Sequence, residues 1–190
     1  MLYMTPSQTV GPYLRIGFDW FDNGDMTRHA NGELDAQSIV ISGQVIDGAG
    51  AAVPDAVIEV WQPDGDGHFS ASCVNRDPRT PRERFLGFGR CCTDAEGYFS
   101  FTTIKPGRIA NGDMPELAAP CITVQVFMRG ILTALHTRLY FGDDALDGDP
   151  ILELVPTERR QTLVASVSGA RTYHWDIRLQ GECETVFFEL

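Results

Sequence analysis

The side chains best suited to binding a metal ion in this 190-residue chain are four histidines and five tyrosines. His136 and Tyr140 fall on one face of a predicted strand, but strand rise separates them by about 13 Å, too far to share an ion. Tyr173 and His174 are adjacent, so a strand directs their side chains to opposite faces. The spacing therefore favours structural roles for these histidines and tyrosines. The alternative is a metal site that some of them form in an unusual arrangement.

The five cysteines form no recognisable framework. Their number is odd, no Cys-x-x-Cys pair occurs, and Cys91 and Cys92 point to opposite faces if they lie on a strand. Disulfide-stapled domains and thiolate zinc sites both need a different pattern. We therefore expect buried, unreactive thiols.

The net charge of −11 argues against nucleic acid and anionic membranes as partners, because both are bound through basic surfaces. No apolar run approaches the roughly 18 residues of a membrane span, and the first ten residues lack the pattern of a signal peptide. We therefore expect a cytoplasmic protein. Lys105 is the only lysine, so an anion site here would use arginine, whose planar guanidinium suits carboxylates.

Short β-rich segments separated by Gly, Pro and Asp turns must position these side chains. Such spacing predicts an all-β, antiparallel sandwich or barrel. The predicted strands are residues 38–47, 56–62, 90–93, 98–104, 121–128, 135–141, 172–179 and 184–188.

Three segments do not have strand character. Residues 23–37 are polar and loop-like. Residues 70–89 form a long excursion with arginines and prolines, and this is the first place to look for a site because long loops in compact domains are commonly functional. We divide the chain into an N-terminal arm and loop at 1–37 and one β-sandwich domain at 38–190.

The third segment, residues 149–165, is predicted to be helical. Asp149 is suited to the N-cap and Pro150 to the first helical position. Pro156 is expected to break the helix into two short pieces, since proline cannot donate the backbone hydrogen bond.

Several stretches together are specific to one enzyme family. GQVIDGAGAAVPDAVIEVWQPDGDGHF at 43–69 and CTDAEGYFSFTTIKPG at 92–107 resemble the intradiol ring-cleavage dioxygenases. Four shorter stretches are similar to one branch of that family, the alpha subunits of heteromeric protocatechuate 3,4-dioxygenases: TPSQTVGPY at 5–13, FMRG at 127–130, HTRLYF at 136–141 and GECETVFFEL at 181–190. The similarity runs essentially end to end.

The resemblance implies a prealbumin-like β-sandwich that supports Fe(III)-dependent intradiol cleavage of 3,4-dihydroxybenzoate to 3-carboxy-cis,cis-muconate. The family holds its iron with two tyrosines and two histidines, ligands suited to a ferric ion. Its His-x-His pair matches Cys121 and Thr123 here, one tyrosine matches the Arg108-Ile109 region, and residues 70–89 contain no tyrosine for the other. The resemblance thus implies that this chain binds no metal and that a beta subunit holds the iron.

The N-terminal stretch TPSQTVGPY has two prolines, a glycine and no helix or strand period. By the resemblance, it reaches the beta subunit and helps to line the pocket that takes the small aromatic acid and O2. The implied substrate-binding residues are Thr9, Pro12, Tyr13 and Arg129, and no catalytic residue is implied in this chain. The forked guanidinium of Arg129 would suit the ring carboxylate of the substrate.

Two other functions stay open at this point. One is a self-sufficient iron catechol dioxygenase with unusual ligands. The other is a prealbumin-like binding module with no catalytic link. A co-purifying partner chain that carries a His-x-His pair would separate the alpha-subunit hypothesis from both.

Overall fold

The computed structural model describes residues 4–18, 24–27, 37–70, 85–109 and 118–189. Within these ranges the chain is mostly β-structure with a few short helices. The strands are β1 Ser38–Ile46, β2 Val57–Trp61, β3 Phe88–Cys92, β4 Tyr98–Ile104, β5 Cys121–Phe127, β6 Leu135–Phe141, β7 Val164–Gly169, β8 Thr172–His174 and β9 Ile177–Arg178. The helices are α1 Tyr13–Phe18 and α2 Thr157–Arg160, with 3-10 turns at Leu152–Leu154 and Gln161–Leu163.

The strands form one mixed sheet, whereas the turn spacing predicts an antiparallel sandwich or barrel. Their order is β3-β2-β5-β6-β7-β8-β1-β4, with β9 also paired to β1. Strand β7 runs parallel to β6, and both β8 and β9 run parallel to β1. The end strands β3 and β4 contact each other, so the sheet is nearly closed and barrel-like. Turn residues mark where strands end, but they do not specify which strands pair.

Most predicted strands match the structure to within two residues at each end, and the exceptions lie near the C-terminus. The predicted strand 172–179 is interrupted because the Asp176 carboxylate, rather than a strand carbonyl, accepts the Gln44 amide at 3.0 Å. Residues 184–188 hold only an isolated bridge, between Phe188 and His136. Strand β7 begins inside the segment that we predicted to be helical, where pairing to β6 overrides local preference.

Alternation along the strands gives the sheet an inner and an outer face. The inner face supplies the core, which includes Ile41, Ile58, Val60, Phe99, Phe101, Ile122, Val124 and Val126. We call the opposite side of β3, β2, β5 and β6 the outer face. It carries Glu59, and Arg90 lies directly across from it, with Arg90 Nε donating to Glu59 Oε1 at 2.7 Å.

The chain outside the strands is described only in part. Of the excursion at 70–89, only Ser70 and residues 85–89 lie in the described ranges, and of the loop at 23–37 only residues 24–27 and 37 do. The division into an arm at 1–37 and a domain at 38–190 stays a prediction. Among the helices described, none is long and apolar enough to cross a membrane.

The segment after β6 is held by a buried carboxylate, Asp149. Its Oδ1 accepts the amides of Ile151 and Leu152 at 3.0 and 2.9 Å, and its Oδ2 accepts the amide of Ala119 at 2.8 Å. The prediction of Asp149 as N-cap, with Pro150 as the first helical residue, is wrong, because helical structure begins at Leu152 with Ile151 as its N-cap. The Asp149 carboxylate nevertheless accepts the first two backbone amides of this segment.

The break in this segment lies where the sequence predicts it. The 3-10 turn Leu152–Leu154 and helix α2 stand on either side of Pro156, which is the N-cap of α2. Asp149 therefore joins the start of β5 to the first of two short helical pieces.

We expect Asp149→Ala to lower the free energy of unfolding by at least about 3 kcal/mol, because it leaves several buried amide donors without an acceptor. Asp147→Ala is the matched control. Asp147 is exposed in the same loop, and its removal is expected to change stability by no more than about 0.5 kcal/mol. Denaturant unfolding followed by tryptophan fluorescence measures both. Equal effects of the two variants on stability would show that the Asp149 carboxylate does not hold the segment after β6 in place.

Candidate functional site

The Thr9 side chain attaches the N-terminal arm to the turn between β5 and β6. The Thr9 hydroxyl accepts the amide of Gly130 at 2.9 Å and donates to the carbonyl of Met128 at 3.4 Å. Gly130 has φ +90°, a conformation that glycine adopts without steric cost. The two backbone groups bound by Thr9 flank Arg129, so the arm and Arg129 meet at one turn.

Arg129 projects from this turn and forms an ion pair with Asp55. Its Nε lies 2.9 Å from Asp55 Oδ2. The Arg129 side chain is 61% exposed, whereas that of Asp55 is only 12% exposed. The guanidinium is therefore held at one end and presented to the surface at the other, which is an arrangement able to bind an anion.

Helix α1 continues the arm across the outer face of the sheet toward β3. The Phe18 ring lies under the Arg90 guanidinium, with Cζ 4.1 Å from the ring centroid. The Cys92 thiol donates to the Arg15 carbonyl at 3.9 Å. These contacts are on the far side of β2 from the Thr9 attachment, so the arm spans several strands. The helix was not predicted from the sequence, because its six residues are too few to show a helical period.

Pro12 and Tyr13 lie where the arm enters α1. The Pro12 carbonyl accepts the Ile16 amide at 3.3 Å, which closes the first helical turn. Tyr13 is 80% exposed, and Met4, Val10 and Ile16 add further exposed apolar surface along the arm. Within the described residues, Tyr13 makes no hydrogen bond to Arg129.

The structure thus brings two of the four sequence-predicted site residues, Thr9 and Arg129, into one turn. It places Pro12 and Tyr13 on the exposed surface of the same arm. Sequence reasoning missed Asp55, because an aspartate after a proline in a turn is an ordinary feature of a chain with 26 acidic residues. Only the fold places its carboxylate beside Arg129.

The positions that match the family's histidine ligands lie on the outer face of β5. Cys121 is buried, and Arg138 on β6 donates from Nη1 to its Sγ at 3.8 Å. Burial raises the pKa of the Cys121 thiol, and the neighbouring guanidinium offsets this only in part. Thr123 lies directly across from Arg138 in the β5–β6 register. A neutral thiol beside a fixed cation does not fit a ferric ion.

Tyr140, across the register from Cys121, does not fit a metal-ligand role either. Burial raises the pKa of its phenol, and the hydroxyl donates to Asp149 Oδ1 at 3.2 Å. The phenol is therefore neutral and already engaged. Within the described ranges, no group of three or more His, Cys, Asp or Glu side chains is placed to hold a metal ion.

The remaining thiols agree only in part with the prediction of buried cysteines. Cys91 is buried and Cys92 partly buried on β3, where alternation directs them to opposite faces as predicted. Cys183 is exposed, contrary to that prediction, because it lies in a loop beyond β9. Cys73 lies outside the described residues.

Comparison with known proteins places this chain in a family. A family model described as "Dioxygenase" matches residues 11–181. The dioxygenase domain of a carbohydrate-binding fusion protein from Streptomyces sp. SirexAA-E has a similar fold, with a TM-score of 0.58 at 20% identity over 97% of this chain and 94% of that one. The chain belongs to the intradiol ring-cleavage dioxygenase family.

Two curated relatives narrow the resemblance within that family. The protocatechuate 3,4-dioxygenase alpha chain of Burkholderia cepacia is 44% identical, over 100% of this chain and 98% of the relative. The protocatechuate 3,4-dioxygenase beta chain of the same organism is 37% identical, over 85% of this chain and 73% of the relative. The chain is thus similar to both kinds of subunit, and the similarity to the alpha chain covers it completely.

The attachment of the arm through Thr9 gives a prediction. Thr9→Val removes both hydrogen bonds to the turn, and an exposed hydrogen bond is worth about 0.5–1.5 kcal/mol. We expect the Gly130 amide to exchange with deuterium roughly three- to tenfold faster, since local opening governs exchange. Thr5→Val is the matched control, because Thr5 is exposed in the same arm. Unchanged exchange at Gly130 in Thr9→Val would show that the arm is held by other contacts.

Proposed function

We propose that this chain is the non-metal-binding alpha subunit of a heteromeric protocatechuate 3,4-dioxygenase. In this proposal a beta subunit holds the Fe(III), and the heteromer cleaves 3,4-dihydroxybenzoate to 3-carboxy-cis,cis-muconate. The observation that carries the proposal is that Cys121 and Thr123 stand at the positions matching the family's histidine pair, with the Arg138 guanidinium donating to the Cys121 thiol. The full-length similarity to an alpha chain supports it.

The arm and the β5–β6 turn are the surface that we assign to the shared pocket. Arg129 would bind the ring carboxylate of the aromatic acid through its exposed end, and Tyr13 would offer a flat apolar face and a hydroxyl to the same molecule. Pro12 would fix the backbone before Tyr13, and Thr9 would fix the turn that carries Arg129. The large exposed fractions of Tyr13 and Arg129 support a role toward a second chain.

The exposed apolar side chains along the arm support a heteromer. An arm that leaves Met4, Val10, Tyr13 and Ile16 open to water has apolar surface that a partner can cover. Obligate interfaces typically bury more than about 2,000 Å². The free thiols of the described residues agree with a reducing compartment such as the cytoplasm, where we place the heteromer.

The metal content of the separate chains tests the proposal. We expect this chain, purified alone, to carry no stoichiometric iron and to cleave no catechol, because its candidate ligand positions hold a neutral thiol and a threonine. Co-expression with a beta chain is expected to give a coloured complex that contains iron and cleaves protocatechuate. Elemental analysis and visible absorption measure this. One tightly bound iron per isolated chain would instead support a self-sufficient enzyme with unusual ligands.

A second test concerns Arg129. In the assembled heteromer, we expect Arg129→Leu to raise KM for protocatechuate by about one to two powers of ten, the usual cost of losing a charged hydrogen bond. KM for catechol, which has no carboxylate, is expected to change by less than about twofold. Steady-state kinetics with both substrates measures the difference. Equal losses for both substrates would assign Arg129 a structural role.

A further inference from the structure

The ion pair between Arg129 and Asp55 has a geometry that leaves most of the guanidinium available. Asp55 engages the Nε side, at 2.9 Å. Within the described residues, no hydrogen bond or ion pair engages the two terminal Nη groups. These two groups are the fork that binds a carboxylate with two parallel hydrogen bonds. Asp55 thus contacts the Nε edge of the guanidinium, which a carboxylate bound to the two Nη groups would not use.

The Asp55 carboxylate is itself fixed by a rigid support. Its turn is clamped by the fully buried Thr93, whose hydroxyl donates to the Val53 carbonyl at 2.8 Å and accepts the Ala56 amide at 3.0 Å. The Thr93 amide in turn donates to the Ala56 carbonyl at 2.9 Å. Residues on both sides of Asp55 are therefore tied to one buried side chain, so the carboxylate has little freedom to move.

Burial also makes Asp55 dependent on Arg129. Asp55 Oδ2 is buried and accepts no well-aligned hydrogen bond from the described residues. Within the described part of the chain, the positive charge of Arg129 is therefore the main interaction that stabilises the Asp55 carboxylate. A buried carboxylate without a counter-ion is costly. The guanidinium is consequently kept at Asp55 instead of sampling the many rotamers open to an exposed arginine.

We propose that Asp55 is a positioning residue that aims Arg129 at the carboxylate of the substrate. The Thr9 hydroxyl holds the backbone on both sides of Arg129, and Asp55 holds the near edge of its side chain. Together they fix where the Nη fork points before substrate arrives, and such preorganisation lowers the entropic cost of binding. The inference rests on the proposed function, because it takes Arg129 to be the group that binds the aromatic acid.

Two Asp55 variants in the iron-containing heteromer test this role. Asp55→Asn keeps the size of the side chain and removes its charge, whereas Asp55→Glu keeps the charge and moves the carboxylate by one methylene. We expect both to raise KM for protocatechuate by about tenfold, the effect of weakening a charge-assisted contact, with kcat unchanged, because only substrate binding is altered. KM for catechol is expected to stay within about twofold of the parent value.

Three further variants serve as controls. Arg129→Leu tests the proposed function itself, and the double variant Asp55→Asn with Arg129→Leu is expected to discriminate between the two substrates no differently from Arg129→Leu alone. Glu158→Ala removes an exposed carboxylate from α2 and controls for the change in net charge. We expect it to leave KM for both substrates unchanged.

The outcomes separate the inference from the proposed function. If Arg129→Leu leaves the discrimination between protocatechuate and catechol unchanged, the proposed function of Arg129 fails. If Arg129→Leu alters the discrimination but both Asp55 variants do not, only the inference is overturned. A lower KM for protocatechuate in Asp55→Asn would show that Asp55 competes with substrate for Arg129. Failure of both Asp55 variants to assemble would assign Asp55 to folding, and this too overturns the proposal.

Discussion

The need to balance arginine charges on and beside the outer face of the sheet determines what this chain can bind. Arg90 is paired with Glu59 across β3 and β2. Arg138 is turned toward the Cys121 thiol on β5, and Arg129 is paired with Asp55 at the end of the same sheet. A half-buried guanidinium keeps its charge at every physiological pH, so the surface around it favours anions and opposes a metal cation.

The balance of arginine charges affects two regions, the paired strands β5 and β6 around Cys121 and the β5–β6 turn that carries Arg129. On β5 and β6, the guanidinium of Arg138 lies beside the neutral groups Cys121 and Tyr140, and Cys121 is one of the two positions that match the family's histidine ligands. At the β5–β6 turn, Arg129 keeps its fork exposed because Asp55 balances its charge from behind. One sheet therefore supports a region that does not fit a cation and a turn whose exposed guanidinium is able to bind an anion, and these two features are the basis of the proposed function.

The N-terminal arm shows how a segment without a core of its own is held on such a surface. Thr9 uses one hydroxyl to bind two backbone groups of the turn, and Phe18 packs beneath Arg90 at the far side of β2. Met4, Tyr13 and Ile16 stay exposed all the same. The arm is thus attached to its own chain through polar and ring contacts, while these three side chains remain open to water.

The sequence by itself determined the β-rich class, most strand boundaries and the break at Pro156, because these depend on local alternation and turn chemistry. Its motifs also pointed to the intradiol family, while the substrate-binding role of Thr9, Pro12, Tyr13 and Arg129 stays a prediction. Only the tertiary structure decided that the sheet is mixed and nearly closed, since the parallel partners of β6 and β1 come from distant parts of the chain. It alone placed Asp55 beside Arg129 and Arg90 beside Glu59, because pairing of charges depends on strand register and turn position, which neighbouring residues in the sequence do not encode.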